Sequence, residues 1–576
     1  MEIVTNGGDA GAGSLRNALS LGGINLIVFD ISVTVVTLTS GPLPISGRNN
    51  LTIDGGSSKV TIDSQGSSRI FNVDNSTDIH FLNLIIQNGR SIDTDGGSGV
   101  LVEQNSELSI SDSVIQNNDS LFGGGGISTL NSTLTITNTT IQNNTCTLGG
   151  GAGIHAETSS VSISTSLIQE NTSSAFGGGI DVLTGGSIII AYSTISSNTA
   201  IGGGGGIFIS VDSTVTLHHS LVDSNSSQNN GGGISCAGDI TIQNSTITNN
   251  QAGLTGGGIH LFSIILTNSI INTTISHNST GPGGNGGGIN IIQLTSRPNV
   301  GNTIIAQNIA TTGPDVFGTV ISLGNNLVGN DTGAVGFTEP PDLLDVDPLL
   351  GPLQDNGGLT LTRALLPGSP AINAGNTFLS QTLLDPLFDQ RGPGFPRVID
   401  LAVDIGAFEF NPEVICYAGD SLILVRNKFT GEKMEMKAKD ITSSDYEVYS
   451  ISLGKYVQIK SNVVSGTVQR LMKIEKDIFG KDKPNKDFYI TSGHKIVIDG
   501  TEVKARHIPQ AKRVKVKPQY VYSICTHKKC TIWVNGLEVP TWNYQKWLEY
   551  SKRKGISWME NGKGQMVDKF VVSNVL

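Results

Sequence analysis

Apolar and small polar residues recur along this chain with a long period. Gly-x-Gly-Ile stands at Gly124–Ile127, Gly151–Ile154, Gly177–Ile180, Gly204–Ile207, Gly231–Ile234, Gly256–Ile259 and Gly286–Ile289, at spacings of 27, 26, 27, 27, 25 and 30 residues. A second phrase keeps phase with it: Ile115-Gln-Asn-Asn118, Ile141-Gln-Asn-Asn144, Ile168-Gln-Glu-Asn171, Ile195-Ser-Ser-Asn198, Val222-Asp-Ser-Asn225, Ile247-Thr-Asn-Asn250 and Ile275-Ser-His-Asn278. Between the two lie stretches such as Leu134-Thr-Ile-Thr-Asn138 and Val215-Thr-Leu-His218, in which every second residue is apolar. Alternation of this kind predicts strands with one buried face, and Gly and Asn predict the tight turns between them. A helical spacing of 3.6 is absent. Three short strands and three turns per ~26 residues describe one coil of a parallel β-helix, with coils stacked ~4.8 Å apart and each Ile column running through the core. The recurring Asn is expected to stack as a turn ladder, and the Gly run to relieve a crowded corner. Weaker cycles at Leu51–Asp54, Val60–Asp63 and Phe81–Asn88 extend the array, which is clearest over 100–300.

After Phe410 the pattern changes. Residues 1–415 hold 9 Lys+Arg against 32 Asp+Glu, a net of −23, while residues 416–576 hold 28 against 16, a net of +12. Two physically different domains follow. Alternating, β-branched segments continue in the second part, so the whole chain reads as all-β: a β-helix over 1–411 with a C-terminal cap at 340–411, a second β domain over 412–540, and a basic, Trp-containing tail over 541–576. The basic half is read as a mixed solvated surface, and no nucleic-acid partner is expected. Five cysteines without tight spacing are no disulfide framework, and Cys525-x4-Cys530 with His527 lacks the second ligand pair of a zinc site. No metal or cofactor is expected. Met1-Glu2-Ile3 leads straight into domain sequence, and no stretch reaches the ~18 apolar residues of a membrane span. The expectation is a soluble chain, or one exported by a route the sequence does not show.

The ends of the array carry a resemblance. Val4-Thr-Asn-Gly-Gly-Asp-Ala-Gly-Ala-Gly-Ser-Leu-Arg16 resembles the opening of a family of secreted bacterial β-helix proteins. Asp355-Asn-Gly-Gly-Leu, Pro367-Gly-Ser-Pro-Ala-Ile-Asn-Ala-Gly375, Asp389-Gln-Arg-Gly392 and Asp404-Ile-Gly-Ala-Phe-Glu409 look like the C-terminal segment of the "choice-of-anchor Q" type, and the repeats are similar to polymorphic outer-membrane proteins. The resemblance implies a right-handed β-helix with an extracellular, cell-surface or virion-surface role, and a glycan or cell-surface partner, but no reaction.

A second resemblance covers about 416–540. Cys416-Tyr-Ala-Gly-Asp-Ser, Thr491-Ser-Gly-His494 and Asn535-Gly-Leu-Glu-Val539 look like the Hint fold of hedgehog and intein domains. Cleaving an amide needs a nucleophile held at the carbonyl, a proton for the departing nitrogen and donors for the oxyanion. The resemblance implies that Cys416 attacks the Ile415 carbonyl to form a thioester, that His494 protonates the Cys416 nitrogen, and that Thr491 holds or polarises the amide. Ser523 and Cys525 are secondary candidates; inteins commonly have Asp where this chain has Ser523. The terminal His-Asn of splicing inteins is missing, since Val539 is followed by Pro540-Thr541. The expected event is therefore a single-turnover cleavage without splicing, with water, a thiol, a sterol or an amine taking the acyl group.

The alternative is a carbohydrate-binding or glycosidase β-helix with a structural C-terminal domain. Between Arg90 and Arg297 there is no Lys or Arg, which argues against a lyase acting on uronates. The position after each Gly-x-Gly-Ile (Ser128, His155, Asp181, Phe208, Ser235, His260, Asn290) is expected to face outward into solvent, with His155 and Asp181 adjacent. The solenoid is read as no enzyme.

Overall fold

The computed structural model describes nearly all of 1–410, omitting 263–267, 293–296, 339–340, 367, 382, 384–386 and 399–402. Beyond 410 it describes chiefly the strands, and leaves out among others 411–416, 419–420, 476–487, 491–494, 527–530, 535–536, 544–557 and 569–576. The chain forms two compact units, Met1–Phe410 and Asn411–Leu576.

The first unit is a right-handed parallel β-helix. Three parallel sheets of 12, 13 and 13 strands run along it, each strand paired with its equivalent one coil on. One coil shows the pattern: Ile154–Glu157 in a first sheet, Ser160–Ser164 in a second, Leu167–Gln169 in a third. A fourth strand, Thr172–Ser173, completes the coil. The alternation pattern yields only three, because a two-residue strand contains no full period. These short strands nonetheless form an eight-stranded ladder from Arg90–Ser91 to Ser279–Thr280.

Register explains the Ile columns. Ile154 pairs with Ile180, and Ile180 with Ile207, so identical β-branched side chains stack in the buried interior. The Asn column is more demanding. Asn118, Asn144, Asn171, Asn198, Asn225, Asn250 and Asn278 are buried, and each donates from Nδ2 to Oδ1 of the Asn one coil on at 2.9–3.0 Å. That same Oδ1 also accepts the backbone N–H of the preceding Asn, as Asn198 does from Asn171 at 3.0 Å. The second Nδ2 proton goes back to a carbonyl of the previous coil, from Asn171 to Ile141 at 3.0 Å. Both donors and both acceptor sites of the amide are thereby used, which a buried amide requires.

Such a ladder needs a last rung that only accepts. Asn308 donates its N–H and Nδ2 to Oδ1 of Asp315 at 3.0 and 2.8 Å, and Asp315 Oδ2 accepts the Asn330 N–H at 2.7 Å. A carboxylate fits because it has no donor left over. A parallel column of Ser and Thr hydroxyls, at 113, 139, 166, 193, 220 and 245, accepts backbone N–H groups between coils. Farther along, its counterpart Thr303 donates its N–H to Asn326, whose own N–H and Nδ2 end on Asp342.

From about Leu350 the chain turns back along the outer face of the third sheet. Arg363 Nε donates to Thr248 Oγ1 at 2.9 Å, Thr246 Oγ1 to Gln390 Oε1 at 2.5 Å, and the Ala407 N–H to Thr274 Oγ1 at 3.0 Å. Leu365, Ala371, Ile405 and Phe408 pack against Ile304, Ala306 and Leu327. The expected cap is thus largely a flank cover, which buries outward positions such as Thr246, Thr274 and Ser276 that earlier coils leave half-exposed.

The second unit is a predominantly antiparallel β structure. Leu422–Asn427 forms a hairpin with Lys433–Lys437 and also pairs with Tyr446–Ser450; the long strand Lys455–Ile474 pairs with Lys512–Thr526. Ile423, Val425, Val448, Ile459 and Phe488 are buried within it. The expected tail is woven into this sheet: Trp542–Asn543 pairs with Cys525–Thr526, and Met566–Val567 with Val463–Val464.

Replacing Asn171 by Ala breaks the ladder on both sides: the Asn144 N–H and Nδ2 lose their acceptor, and Asn198 Oδ1 and the Ile141 carbonyl each lose a donor. Loss of ~2–5 kcal/mol is expected from the buried groups left unpaired. Denaturant unfolding should show it, whereas Thr135→Ala on the exposed face of the second sheet should leave the midpoint nearly unchanged.

Candidate functional site

Strand Tyr417–Ala418 begins one residue after Cys416 and lies between two others. Tyr417 pairs with Ile490 on one side and with Tyr522 on the other, and Ala418 pairs with Val521. Ile490 immediately precedes Thr491, and Tyr522 precedes Ser523. Ile415, Cys416, Thr491 and His494 themselves lie outside the described residues, as do His527 and Cys530. Ser523 and Cys525 are on the strand Lys512–Thr526, opposite Val463 and Ser461. The backbone therefore brings the neighbours of Cys416, Thr491 and Ser523, separated by up to about a hundred residues in sequence, to adjacent rungs of one sheet. In the last motif Val534 pairs antiparallel with Leu537, while Asn535 and Gly536 lie outside the described residues.

The first unit ends in a buried ionic clasp. Asp389 holds Arg391 Nε at 2.9 Å and accepts the Glu409 N–H at 2.8 Å. Arg391 Nη2 donates to the Glu409 carbonyl at 2.7 Å, and its guanidinium is packed between the rings of Phe395 and Phe408. Asp404 accepts the N–H groups of Asn373 and Phe410, and Glu409 Oε2 accepts the Asp404 N–H. Arg397, fully buried, donates to the Asp404 and Gly406 carbonyls. Residues 409 and 410 are thereby pinned, five residues before Ile415. Asp389-Gln-Arg-Gly392 and Asp404–Glu409 carry a resemblance in sequence but no local sign of this clasp. The available signal was charge concentrated in an otherwise charge-poor, Gly-rich stretch.

The outward column of the first sheet departs from expectation. Ser128, His155, Asp181, Phe208, Ser235, His260 and Asn290 are all at most 9 % exposed. The glycine runs lie over them: a Cβ on Gly150 would sit 2.2 Å from Asp181 Oδ2, and one on Gly123 would sit 2.8 Å from the His155 ring. His155 Nδ1 and Asp181 Oδ2 are indeed neighbours, at 3.2 Å. Burial raises the Asp181 carboxyl, while the bond to His155 pulls it down, and Oδ1 has no hydrogen-bond partner among the described residues. The column includes one carboxylate where a glycosidase needs two, and it is closed to a polymer. It is a packed column and not the solvated face expected.

Residues 59–228 match the family model described as a right-handed β-helix region. Among solved structures the chain is similar to pectate lyase Pel9A, at 14% identity and a TM-score of 0.37, covering 71% of this chain and 97% of that one. It is also similar to a mutant of the Ssp DnaB mini-intein, at 12% identity and a TM-score of 0.18, covering 23% of this chain and 96% of that one. At such scores neither likeness bears on activity. No curated protein matches the chain.

Two outcomes follow from this geometry. The Glu409 carboxyl is pushed up to about 9, by burial first and then by Asp404, against the pull of Arg397. A carboxyl that titrates near 4.5 when unfolded then leaves the folded chain holding one extra proton between those values. Its contribution to stability is complete below the lower value and is lost as pH rises through the upper. Melting curves should show Glu409→Gln gaining on the wild type steadily from pH 5 to pH 9. Separately, Gly150→Ala should cost ~1–3 kcal/mol through overpacking against Asp181. Gly22→Ala, with nothing within 4 Å of the added carbon, should leave the unfolding midpoint unchanged.

Proposed function

We propose that this protein cuts its own chain between Ile415 and Cys416, releasing or transferring the β-helix to a nucleophile without splicing. The observation that carries the reading is the register placing Tyr417 between Ile490 and Tyr522. It gathers the residues next to the nucleophile and next to the Thr491-to-His494 motif, as a cleavage centre requires. The order of the three motifs supports it independently.

In the proposed step the Cys416 sulfur, as thiolate, attacks the Ile415 carbonyl carbon, and the C–N bond breaks. His494 gives a proton to the departing Cys416 nitrogen, which becomes a free amine, and the acyl group remains on sulfur as a thioester. Thr491 positions or polarises the amide. Water, a thiol, a sterol or an amine then takes the acyl group and the Cys416 thiol is restored. The β-helix is a passive rod in this scheme, displayed outside a cell or on a virion, where a glycan or surface partner would meet it. No helix among the described residues is long and apolar enough to cross a membrane.

The purified chain treated with dithiothreitol should split into two fragments on a denaturing gel, the smaller beginning Cys-Tyr-Ala-Gly-Asp. Cys416→Ala should remain whole. His494→Ala should cleave slower by the ~10²–10⁴ that acid–base catalysis supplies, and Thr491→Ala should be slowed less. Cys525→Ala should still cut. A different N-terminus, or full cleavage by Cys416→Ala, would overturn the scheme.

A further inference from the structure

Twelve asparagines of the first unit stand in Asn-x-Ser/Thr, the acceptor motif for N-linked oligosaccharide, at positions 50, 75, 118, 131, 138, 143, 171, 225, 244, 272, 278 and 330. That motif ordinarily marks an exposed turn. Here it falls into two classes. Asn50, Asn75, Asn131, Asn138, Asn143 and Asn330 are exposed, and the first five have the left-handed backbone of outer corners, with φ between 46 and 58°. Asn118, Asn171, Asn225, Asn244, Asn272 and Asn278 are at most 1 % exposed.

Four of the buried six, Asn118, Asn171, Asn225 and Asn278, are rungs of the amide ladder. Both Nδ2 protons of each are used. Asn225, for example, donates to Asn250 Oδ1 at 3.0 Å and to the Ile195 carbonyl at 2.9 Å. A glycine closes the space beside each amide. A Cβ on Gly99, Gly153, Gly206 or Gly258 would lie 3.0–3.1 Å from the Nδ2 of Asn118, Asn171, Asn225 or Asn278 respectively. A site with so little room for one carbon has none for a sugar ring. The other two are bonded to each other, Asn272 Nδ2 to Asn244 Oδ1 at 3.2 Å, and Asn272 Oδ1 accepts Ser380 Oγ under the flank cover.

We propose that these are two opposed kinds of modification site. N-linked oligosaccharide on the exposed six is compatible with the folded rod, whereas on any of the buried six it prevents the coils from stacking, so the rod must fold where asparagine is not being glycosylated. In the transfer step the anomeric carbon of an oligosaccharide breaks its bond to a lipid pyrophosphate and bonds Nδ2. Nδ2 gives up one proton, and the lipid pyrophosphate leaves. On a ladder asparagine that proton is one the fold uses, so either the next Oδ1 or a carbonyl of the previous coil loses its donor in an apolar core. The sugar, polar and larger than any side chain, would have to be buried between coils or force them apart. Each coil is held only by its neighbours, so one parted step divides the solenoid. Transfer acts on chain that has not yet folded, when ladder and corner asparagines are equally open. Ladder and motif therefore compete for the same Nδ2.

Full-length protein carrying Cys416→Ala, which removes self-cleavage as a cause, tests this. It is made in a bacterial cytosol, and behind a cleavable secretory leader in eukaryotic cells with and without tunicamycin, which stops synthesis of the lipid-linked donor. Resistance to proteinase K reads folding, and glycopeptide mass spectrometry assigns each site. The cytosolic and tunicamycin-treated chains should give a resistant rod. Without the inhibitor, resistance should be lost in molecules bearing sugar at a buried asparagine, and resistant molecules should bear it at exposed corners alone. Ser173→Ala removes the Asn171 motif and installs the residue type that Ala200 holds one coil on. It should still fold in the cytosol and lose the sugar at Asn171 only. A resistant rod glycosylated at any of the six buried positions overturns the proposal. So does uninhibited secretory protein with no sugar at a buried position, and so does loss of the rod in tunicamycin-treated cells.

Discussion

Everything in the first unit depends on keeping successive coils in register. Strand pairing alone does not enforce this, because backbone ladders look alike after a slip of two residues. The buried Asn column does enforce it. An Asn amide shifted out of line would leave four hydrogen-bonding positions unpaired in an apolar interior, a penalty that no neighbouring coil could absorb. The ladder is also directional, with each Nδ2 pointing to the next Oδ1, and so it must end somewhere. Asp315 and Asp342 end the two polar columns by accepting without donating, and the array closes shortly after them.

The same stacking rule decides what the flanks can do. A coil corner repeats its residue type along the rod, so a small choice at one position becomes a stripe. Glycine repeated over the first sheet shuts the column of His155 and Asp181 away from solvent. Threonine and asparagine repeated on the third sheet give the returning segment 350–410 regular hydroxyl and amide groups to bond, as Thr246, Thr248 and Thr274 do.

The buried clasp of Asp389, Arg391, Asp404 and Glu409 gives the rod a firm end next to the proposed scissile bond. Glu409 and Phe410 are held to the solenoid by their N–H bonds to Asp389 and Asp404, independently of the proposed cut. Rod and cutting unit are also physically different, one acidic and repetitive, the other basic and aperiodic.

The sequence by itself determined the period, the strand class, the Ile and Asn columns and the change of character after Phe410. Those are local signals repeated many times, and repetition averages away ambiguity. It also supplied the order of Cys416, Thr491, His494 and Ser523, since motif order is a property of the linear chain. It could not show that Tyr417 lies between Ile490 and Tyr522, because strand pairing across a hundred residues leaves no local trace. It misread the side chains after each Gly-x-Gly-Ile as solvated, since alternation tells which face of a strand points outward but not whether another segment lies over that face. The fourth strand was too short to show a period. The flank cover at 350–410 and the ionic clasp were decided only in three dimensions, where burial turns scattered Asp, Arg and Glu residues into mutually dependent partners.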